Sequence, residues 1–334
     1  MMQSSAPSTW RIALLAGGDS EEREISLQSG AAVEAALQSR GHLVLHLDPA
    51  MIDLAGVDWR QFDVAFLALH GQFGEDGQAQ QILEDSGIPY TGSSAAASRL
   101  AFSKSAAKER FLQSGLPTPE YVLLHYGDDF DRTRRQAESL GYPLAIKPDG
   151  QGSSIGVTII RSPIELASAL RRAFQFDSFA VMERAISGTE WTVGLLDERV
   201  LPAIEIETDH EFFDFEAKYE AEETRYRFDY SLPMSVVHEV ERIAAEACRA
   251  IGTRGIARVD LRVDSAGQPW LLEVNTIPGM TSHSLVPKAA ARVGIDFAEL
   301  CERAISSCLP QSPRAPHFAT PTVVAKIRQS GERA

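Results

Sequence analysis

"RVDLRVDSAGQPWLLEVN", residues 258–275, carries apolar and polar residues in alternation on both sides of a turn-forming Asp-Ser-Ala-Gly run. That pattern reads as two half-buried strands joined in a hairpin. Arg258 and Asp260 share one face of the first strand, and Glu273 and Asn275 share one face of the second. A two- or four-residue loop about Ala266-Gly267 would oppose Asp260 to Glu273 and Arg258 to Asn275. A three-residue loop with a glycine bulge would shift the register by one and send the two carboxylates to opposite faces. Like charges directly opposed on a sheet are unfavourable, so the first arrangement requires a cation, a shared proton or ample water. Magnesium suits it, because that ion takes hard oxygen ligands and is commonly held by one or two carboxylates plus substrate phosphates. The Asn275 carbonyl would complete a set with Asp260 and Glu273.

Upstream, "KPDGQGSSIGV", residues 147–157, joins a short apolar strand ending in Lys147 to a second strand near Val157–Ile160. A phosphate-binding loop of the P-loop type is excluded, since the lysine precedes all three glycines and no helix follows. The dinucleotide fingerprint fails on spacing as well, with glycines at 150, 152 and 156. What remains is a hairpin rich in backbone N–H groups and hydroxyls beside a cation, which is either an anion cradle or a plain turn.

The chain of 334 residues is 44% hydrophobic, long enough for two or three domains with real cores. A formal charge of -14 argues against a general nucleic-acid surface, which needs a basic field. Cys248, Cys301 and Cys308 form no C-x-x-C pair, and an odd number speaks against a disulfide framework. The start, MMQSSAPSTWR, lacks the basic and apolar segments of a secretory signal, and no apolar run approaches bilayer length. A cytoplasmic protein without membrane association is expected.

Alternating strands and helices from Ile12 to Gly87 predict a parallel sheet with covering helices, whose binding loops lie beyond the strand C-termini. GGDSEERE and HGQFGEDG fall there. A helix from about Phe102 to Ser114 opens a second region, with strand YVLL, a helix near 128–140, the glycine hairpin, a helix near 163–174 and strand FAVMERAI. A third region adds strands TEWTVGLLD and RVLPAIEIE, a charged aromatic loop at 208–231, a helix at 233–251, the 258–275 hairpin and helices near 285–307. The expected fold is therefore α/β, divided into an N-terminal α/β domain at 1–101, a central domain at 102–188, a C-terminal domain at 189–308, and a Pro/Ser/Arg-rich tail at 309–334.

Several polar groups sit at element ends. Lys104 opens a helix, Lys147 and Glu183 close strands, and Glu190 follows seven residues after Glu183. Two lysines suit phosphate oxygens and an acid suits ribose hydroxyls, although singly each reads as a surface charge. In "FFDFEAKYEAEETRYRF", residues 212–228, no sustained period appears, and Lys218 and Tyr219 could close over a charged substrate. Glu22 lies in an acidic turn before a helix, His70 closes a strand, and "GMTSHSL", residues 279–285, offers a helix N-terminus suited to a carboxylate.

Together LLAGGDSEEREISLQSG, ALHGQFGEDG, YTGSS, IKPDGQGSSIG, EAKY, RVDLRVD and LLEVNTIPGMTSHSLVP make the chain, from about residue 11 to 305, resemble the D-alanine:D-alanine ligases of the ATP-grasp superfamily. The resemblance implies a three-domain architecture in which two α+β domains grip ATP, two magnesium ions that manganese could replace, and commonly a homodimer. It places Lys104, Lys147, Lys218 and Ser153 on the phosphates, and Glu183, the backbone to Ile186, and Glu190 on the adenine and ribose. It makes Asp260, Glu273 and Asn275 the metal ligands. Glu22 and His70 would hold the first D-alanine, with Ser153 and Tyr219 linking that site to the glycine hairpin. Arg258 and the Gly279 amide would stabilise the oxyanion, and Ser284 with the Leu285 amide would hold the second carboxylate. The implied reaction passes through an acyl phosphate, whose sensitivity to water gives a hairpin lid and an aromatic loop a purpose. Gln151 departs from an expected acid, and Asp229-Tyr230 from an expected Pro-Ala. Relatives that make D-alanyl-D-lactate usually carry histidine where Tyr219 stands, so tyrosine favours the dipeptide. Another carboxylate-activating ligase, or a nucleotide-binding protein without turnover, are the alternatives.

Overall fold

The computed structural model describes residues 9–207, 224–281 and 284–309. Three sheets organise them. In the first, β1 (Arg11–Leu15) is buried along its whole length and lies between β2 (Leu43–Leu47) and β3 (Val64–Leu67), all parallel, with Ile12 paired to both Val44 and Val64. Such continuous apolar strands need cover on both faces. Helix α1 (Arg23–Ser39) supplies one cover through Val33 and Leu37, and α2 (Gln78–Ser86) supplies the other through Ala79 and Leu83.

The second sheet is antiparallel, in the order β4 (Tyr121–His125), β7 (Phe179–Arg184), β5 (Leu144–Pro148), β6 (Thr158–Ile160). Helices α5 (Phe130–Leu140) and α6 (Leu166–Ala173) close one face over Leu144, Ile146, Ile160 and Met182. The other face is left to line a cleft.

The third sheet runs β11 (Arg225–Arg227), β10 (Ile204–Glu207), β8 (Thr189–Leu196), β12 (Ile256–Val263), β13 (Pro269–Asn275), with β9 (Arg199–Val200) beside β8. Helix α7 (Met234–Ile251) buries Val237, Val240, Ile243 and Ala244 on one face. On the other, α8 (Leu285–Arg292) and α9 (Phe297–Cys308) share a core with α1 and the first sheet. That shared core fixes the α1 N-terminus, and with it Glu22, against the end of the 258–275 hairpin.

Three local expectations change. The segment before Lys104 holds a separate helix, α3 (Ala95–Phe102), which Ser94 caps by accepting from the Ala97 N–H at 3.2 Å. Ser103 then breaks the chain direction, and α4 (Lys104–Gln113) is the helix expected from about Phe102 to Ser114, so α3 is an additional element. The run RVLPAIEIE splits at Leu201–Ala203 into β9 and β10, because Pro202 has no N–H to give a ladder. Within the expected loop 208–231, Arg225–Arg227 is a strand paired with Glu205–Glu207; residues 208–223, including Lys218 and Tyr219, lie outside the described residues.

Candidate active site

The 258–275 hairpin contains both of the registers open to it. At the turn, Asp264 donates its N–H to the Gln268 carbonyl at 3.1 Å, enclosing a three-residue loop in which Gly267 takes φ 81°. A β-carbon is disfavoured at that angle, which is why glycine stands there. This is the loop that shifts register by one, and the pairs next to it follow: Val263 with Pro269, Arg262 with Trp270, Leu261 with Leu271. Between Asp260 and Leu261 the register shifts back, leaving Leu272 as the extra residue of a bulge. Beyond it Asp260 faces Glu273 and Arg258 faces Asn275. The second irregularity cancels the first. Asp260, Leu272 and Glu273 consequently all line one cleft.

The opposite wall of that cleft comes from the second sheet and its glycine hairpin: Ala145, Lys147, Ser154, Val157, Ile159 and Glu183. Its floor is reached by Ile186, Glu190 and Arg262. Glu190 and Arg262 are cross-strand neighbours on β8 and β12, with Arg262 Nη1 at 3.5 Å from Glu190 Oε2. Glu183, 1% exposed, takes Lys147 Nζ on Oε1 at 2.5 Å and Lys108 Nζ near Oε2 at 2.6 Å. Burial pushes this carboxyl up, but the two ammonium groups outweigh it and hold it at about 2. Lys147 is raised in turn: burial lowers it, and Glu183 more than compensates.

A second chamber adjoins the first, with Lys104 and Glu273 common to both. It is lined by Glu22, His70, Glu75, Gln151, Gly152, Ser153, Arg258, Asn275 and Gly279. Lys104 Nζ donates to the Gln151 carbonyl and lies 3.8 Å from Glu273 Oε2. Asp149 ties this lysine's helix to the hairpin: its Oδ1 accepts from the Ser105 N–H at 2.7 Å and its Oδ2 from the Ser103 hydroxyl at 2.7 Å. Arg258 forks onto Asp260 through Nε at 2.9 Å and Nη2 at 2.8 Å, and Thr192, opposite Asp260 on β8, donates to Oδ1 at 2.7 Å.

Glu22 precedes α1 and is 6% exposed. Ser153, held at φ 48°, donates its hydroxyl to Glu22 Oε1, whereas Oε2 has no hydrogen-bond partner among the described residues. A β-carbon on Gly152 would lie 2.7 Å from Oε2, so any larger residue there would displace this carboxylate from its present position. Ser29 on α1 lies 3.1 Å from His70 Nε2 and accepts from the Met280 N–H at 3.2 Å, joining α1, the end of β3 and the 279–285 loop. Glu75 sits 3.8 Å from His70 Nδ1. Burial raises the Glu75 carboxyl, and the charge of Glu22 adds to that rise against the pull of His70.

Among the described residues no three His, Cys, Asp or Glu side chains gather around one point. Two opposed carboxylates and an amide remain, an all-oxygen set that fits magnesium completed by phosphate oxygens. Asn275 Oδ1 also accepts from the Ile277 N–H at 3.0 Å, which orients it. Ser284 and Leu285 start α8 outside both chambers' linings; Ser284 Oγ accepts from the Thr281 N–H at 3.0 Å. Lys108, Thr192, Glu75, Arg262 and Leu272 are further parts of the site that the sequence reading passed over. Lys108 follows Lys104 by one helical turn, which places both on one face, and Thr192 and Arg262 follow from strand pairing once the register is known.

Comparison with known proteins bears on what such a cleft does. The family model for the D-ala D-ala ligase C-terminus matches residues 111–306, and that for the D-ala D-ala ligase N-terminus matches 49–93. A D-alanine–D-alanine ligase of Marinobacter nauticus is 46% identical over 301 residues, covering 90% of this chain and 92% of its own. That of Bordetella avium is 42% identical over 309 residues, covering 91% and 96%. Among solved structures, the D-alanine–D-alanine ligase from Bacillus anthracis complexed with ATP superimposes with a TM-score of 0.78 at 32% identity, over 90% of this chain and 97% of its own. The VanG D-Ala:D-Ser ligase from Enterococcus faecalis gives 0.80 at 27% identity, over 90% and 100%.

Proposed function

Because this chain belongs to the D-alanine–D-alanine ligase family, we propose that it joins two D-alanines to D-alanyl-D-alanine with ATP, for peptidoglycan precursor synthesis. The observation that carries the proposal is the pair of chambers meeting at Lys104 and Glu273: one has the cations an anion needs, the other a buried carboxylate with an oxygen to spare.

ATP occupies the cleft between the second and third sheets, its base and ribose toward Ile186 and Glu190 with Glu183 beside them, and its phosphates toward Lys147 and Lys104. Lys218, from outside the described residues, would join these cations, and Ser153 with the neighbouring hairpin backbone covers them. Asp260, Glu273 and Asn275 would hold magnesium. When bound, the metal neutralises phosphate charge and lines up the γ-phosphoryl group for transfer. The first D-alanine places its ammonium on Glu22 beside His70. Its carboxylate oxygen attacks the γ-phosphorus, the bond to ADP breaks, and an acyl phosphate forms. A free amine of the second D-alanine, its carboxylate held by Ser284 and the Leu285 amide, then attacks the acyl carbon. The oxyanion that develops faces Arg258 and the Gly279 amide, donors already fixed before charge appears. Collapse expels phosphate with the original carboxylate oxygen. Glu22, fixed by Ser153, keeps the first substrate aligned through both steps, and Tyr219 would close over it.

Among the described residues no helix is long and apolar enough to cross a membrane. We place the reaction in the cytoplasm and in a homodimer on the strength of the family resemblance, and sedimentation at micromolar concentration tests the dimer. The activity is tested by phosphate release with ATP and magnesium. D-Alanine should stimulate it strongly, and L-alanine, D-lactate and D-serine weakly. Equal rates with both alanine enantiomers would overturn the proposal.

A further inference from the structure

Lys108 is the most deeply buried cation of the site, 0% exposed, and nothing in the reaction above uses it. It stands on α4 one turn after Lys104, and unlike Lys104 it lines neither chamber. Its ammonium lies between Glu183 Oε2 at 2.6 Å and Thr118 Oγ1 at 2.7 Å, and stands 5.5 Å over the Tyr121 ring. Thr118 passes its own proton to the Leu271 carbonyl at 2.9 Å, on the strand that carries Glu273. An ammonium is withdrawn from water at high cost unless fully paired, and burial lowers the basicity of this one despite Glu183. A charge withdrawn this far calls for an electrostatic reason.

Glu183 provides it. The carboxylate lies between two lysines, only one of which, Lys147, lines the nucleotide cleft. With a single lysine, the carboxylate would cancel that lysine's charge and hold its ammonium in a closed pair. With two, the group keeps one net positive charge, and Glu183 serves as a pivot that orients Lys147.

We infer that Lys108 is a positioning residue for nucleotide binding: by neutralising Glu183 from behind, it leaves the charge of Lys147 to the phosphates in the cleft. The inference rests on the nucleotide reading of the cleft given above. It also connects the second sheet to β13, since Lys108 bonds to Glu183 on one side and, through Thr118, to Leu271 on the other.

The test is equilibrium binding of a non-hydrolysable ATP analogue to full-length protein without alanine. Lys108→Met should raise Kd at least tenfold. Half-saturation by D-alanine, measured at saturating ATP, should change less than threefold. Lys108→Arg keeps a positive charge behind Glu183 and should hold Kd within about threefold of wild type, and it reports even if Lys108→Met fails to fold. Adenosine, which carries no phosphates, should bind Lys108→Met within about threefold of wild type, which a merely structural loss would not spare. A folded Lys108→Met protein with wild-type Kd for the analogue overturns the inference, and so does a folded Lys108→Arg protein that binds tenfold weaker. Wild-type protein that fails to bind the analogue overturns the nucleotide reading, and the inference with it.

Discussion

Glu22→Gln separates charge from shape at the chamber assigned to the first alanine. The substitution keeps the size of the side chain and an acceptor for the Ser153 hydroxyl, and removes the negative charge beside an oxygen that no described group satisfies. A hydrogen bond to a charged group contributes about 1.5–3 kcal/mol, and each 1.4 kcal/mol is tenfold. D-Alanine half-saturation at the first site should therefore rise about 10- to 150-fold. The same change relieves the like-charge repulsion that helps raise Glu75, so the melting temperature should hold or increase. Phosphate release against D-alanine concentration at saturating ATP gives the first number, calorimetric titration with a non-hydrolysable analogue checks that nucleotide affinity is unchanged, and a thermal melt gives the last. A change in D-alanine half-saturation under threefold, or an equal loss of nucleotide affinity, would refute the assignment.

Glu273→Gln should lower turnover at least a hundredfold with the fold intact by circular dichroism, and chelation of magnesium should have the same effect on wild type; undiminished turnover at saturating magnesium would remove Glu273 from the metal set. Gly188→Ala should cost about 3 kcal/mol or more in urea unfolding, since the residue sits at φ +144° and its β-carbon would lie 1.9 Å from the Val263 carbonyl oxygen; a loss below about 1 kcal/mol would contradict the packing of β8 on β12. Acid stability has a defined sign. Glu183 titrates at about 2 folded and near 4.3 unfolded, so its contribution is full above the unfolded value and is lost as pH falls from about 4 toward 2. Urea midpoints measured across that window should fall less steeply in Lys108→Met/Glu183→Gln than in wild type, and parallel slopes would count against the buried triad.

The parallel first sheet was legible because short, continuously apolar strands alternate with helices, and the 258–275 hairpin because its strands alternate apolar and polar residues. The facing of Asp260 and Glu273 was legible only as one of two registers. Its resolution lay in the "LLE" of residues 271–273, where a bulge hides between two leucines that look alike in any pattern. Lys108 was hidden for a different reason: a lysine on a helix reads as a surface residue, and the carboxylate that buries it is 75 positions away at Glu183. Helix α3 was missed although Ser93-Ser94 followed by three alanines is a cap before strong helix formers. The strand Arg225–Arg227 escaped because its alternation of arginine and tyrosine is only three residues long, inside a segment with no sustained period.

The acyl phosphate is the chemical centre of the account, and oxygen labelling tests it most directly. D-Alanine carrying ¹⁸O in its carboxylate, incubated with ATP, magnesium and the protein, should yield one labelled oxygen in inorganic phosphate for each D-alanyl-D-alanine formed. Dipeptide formed with unlabelled phosphate, or phosphate released without dipeptide, would contradict it.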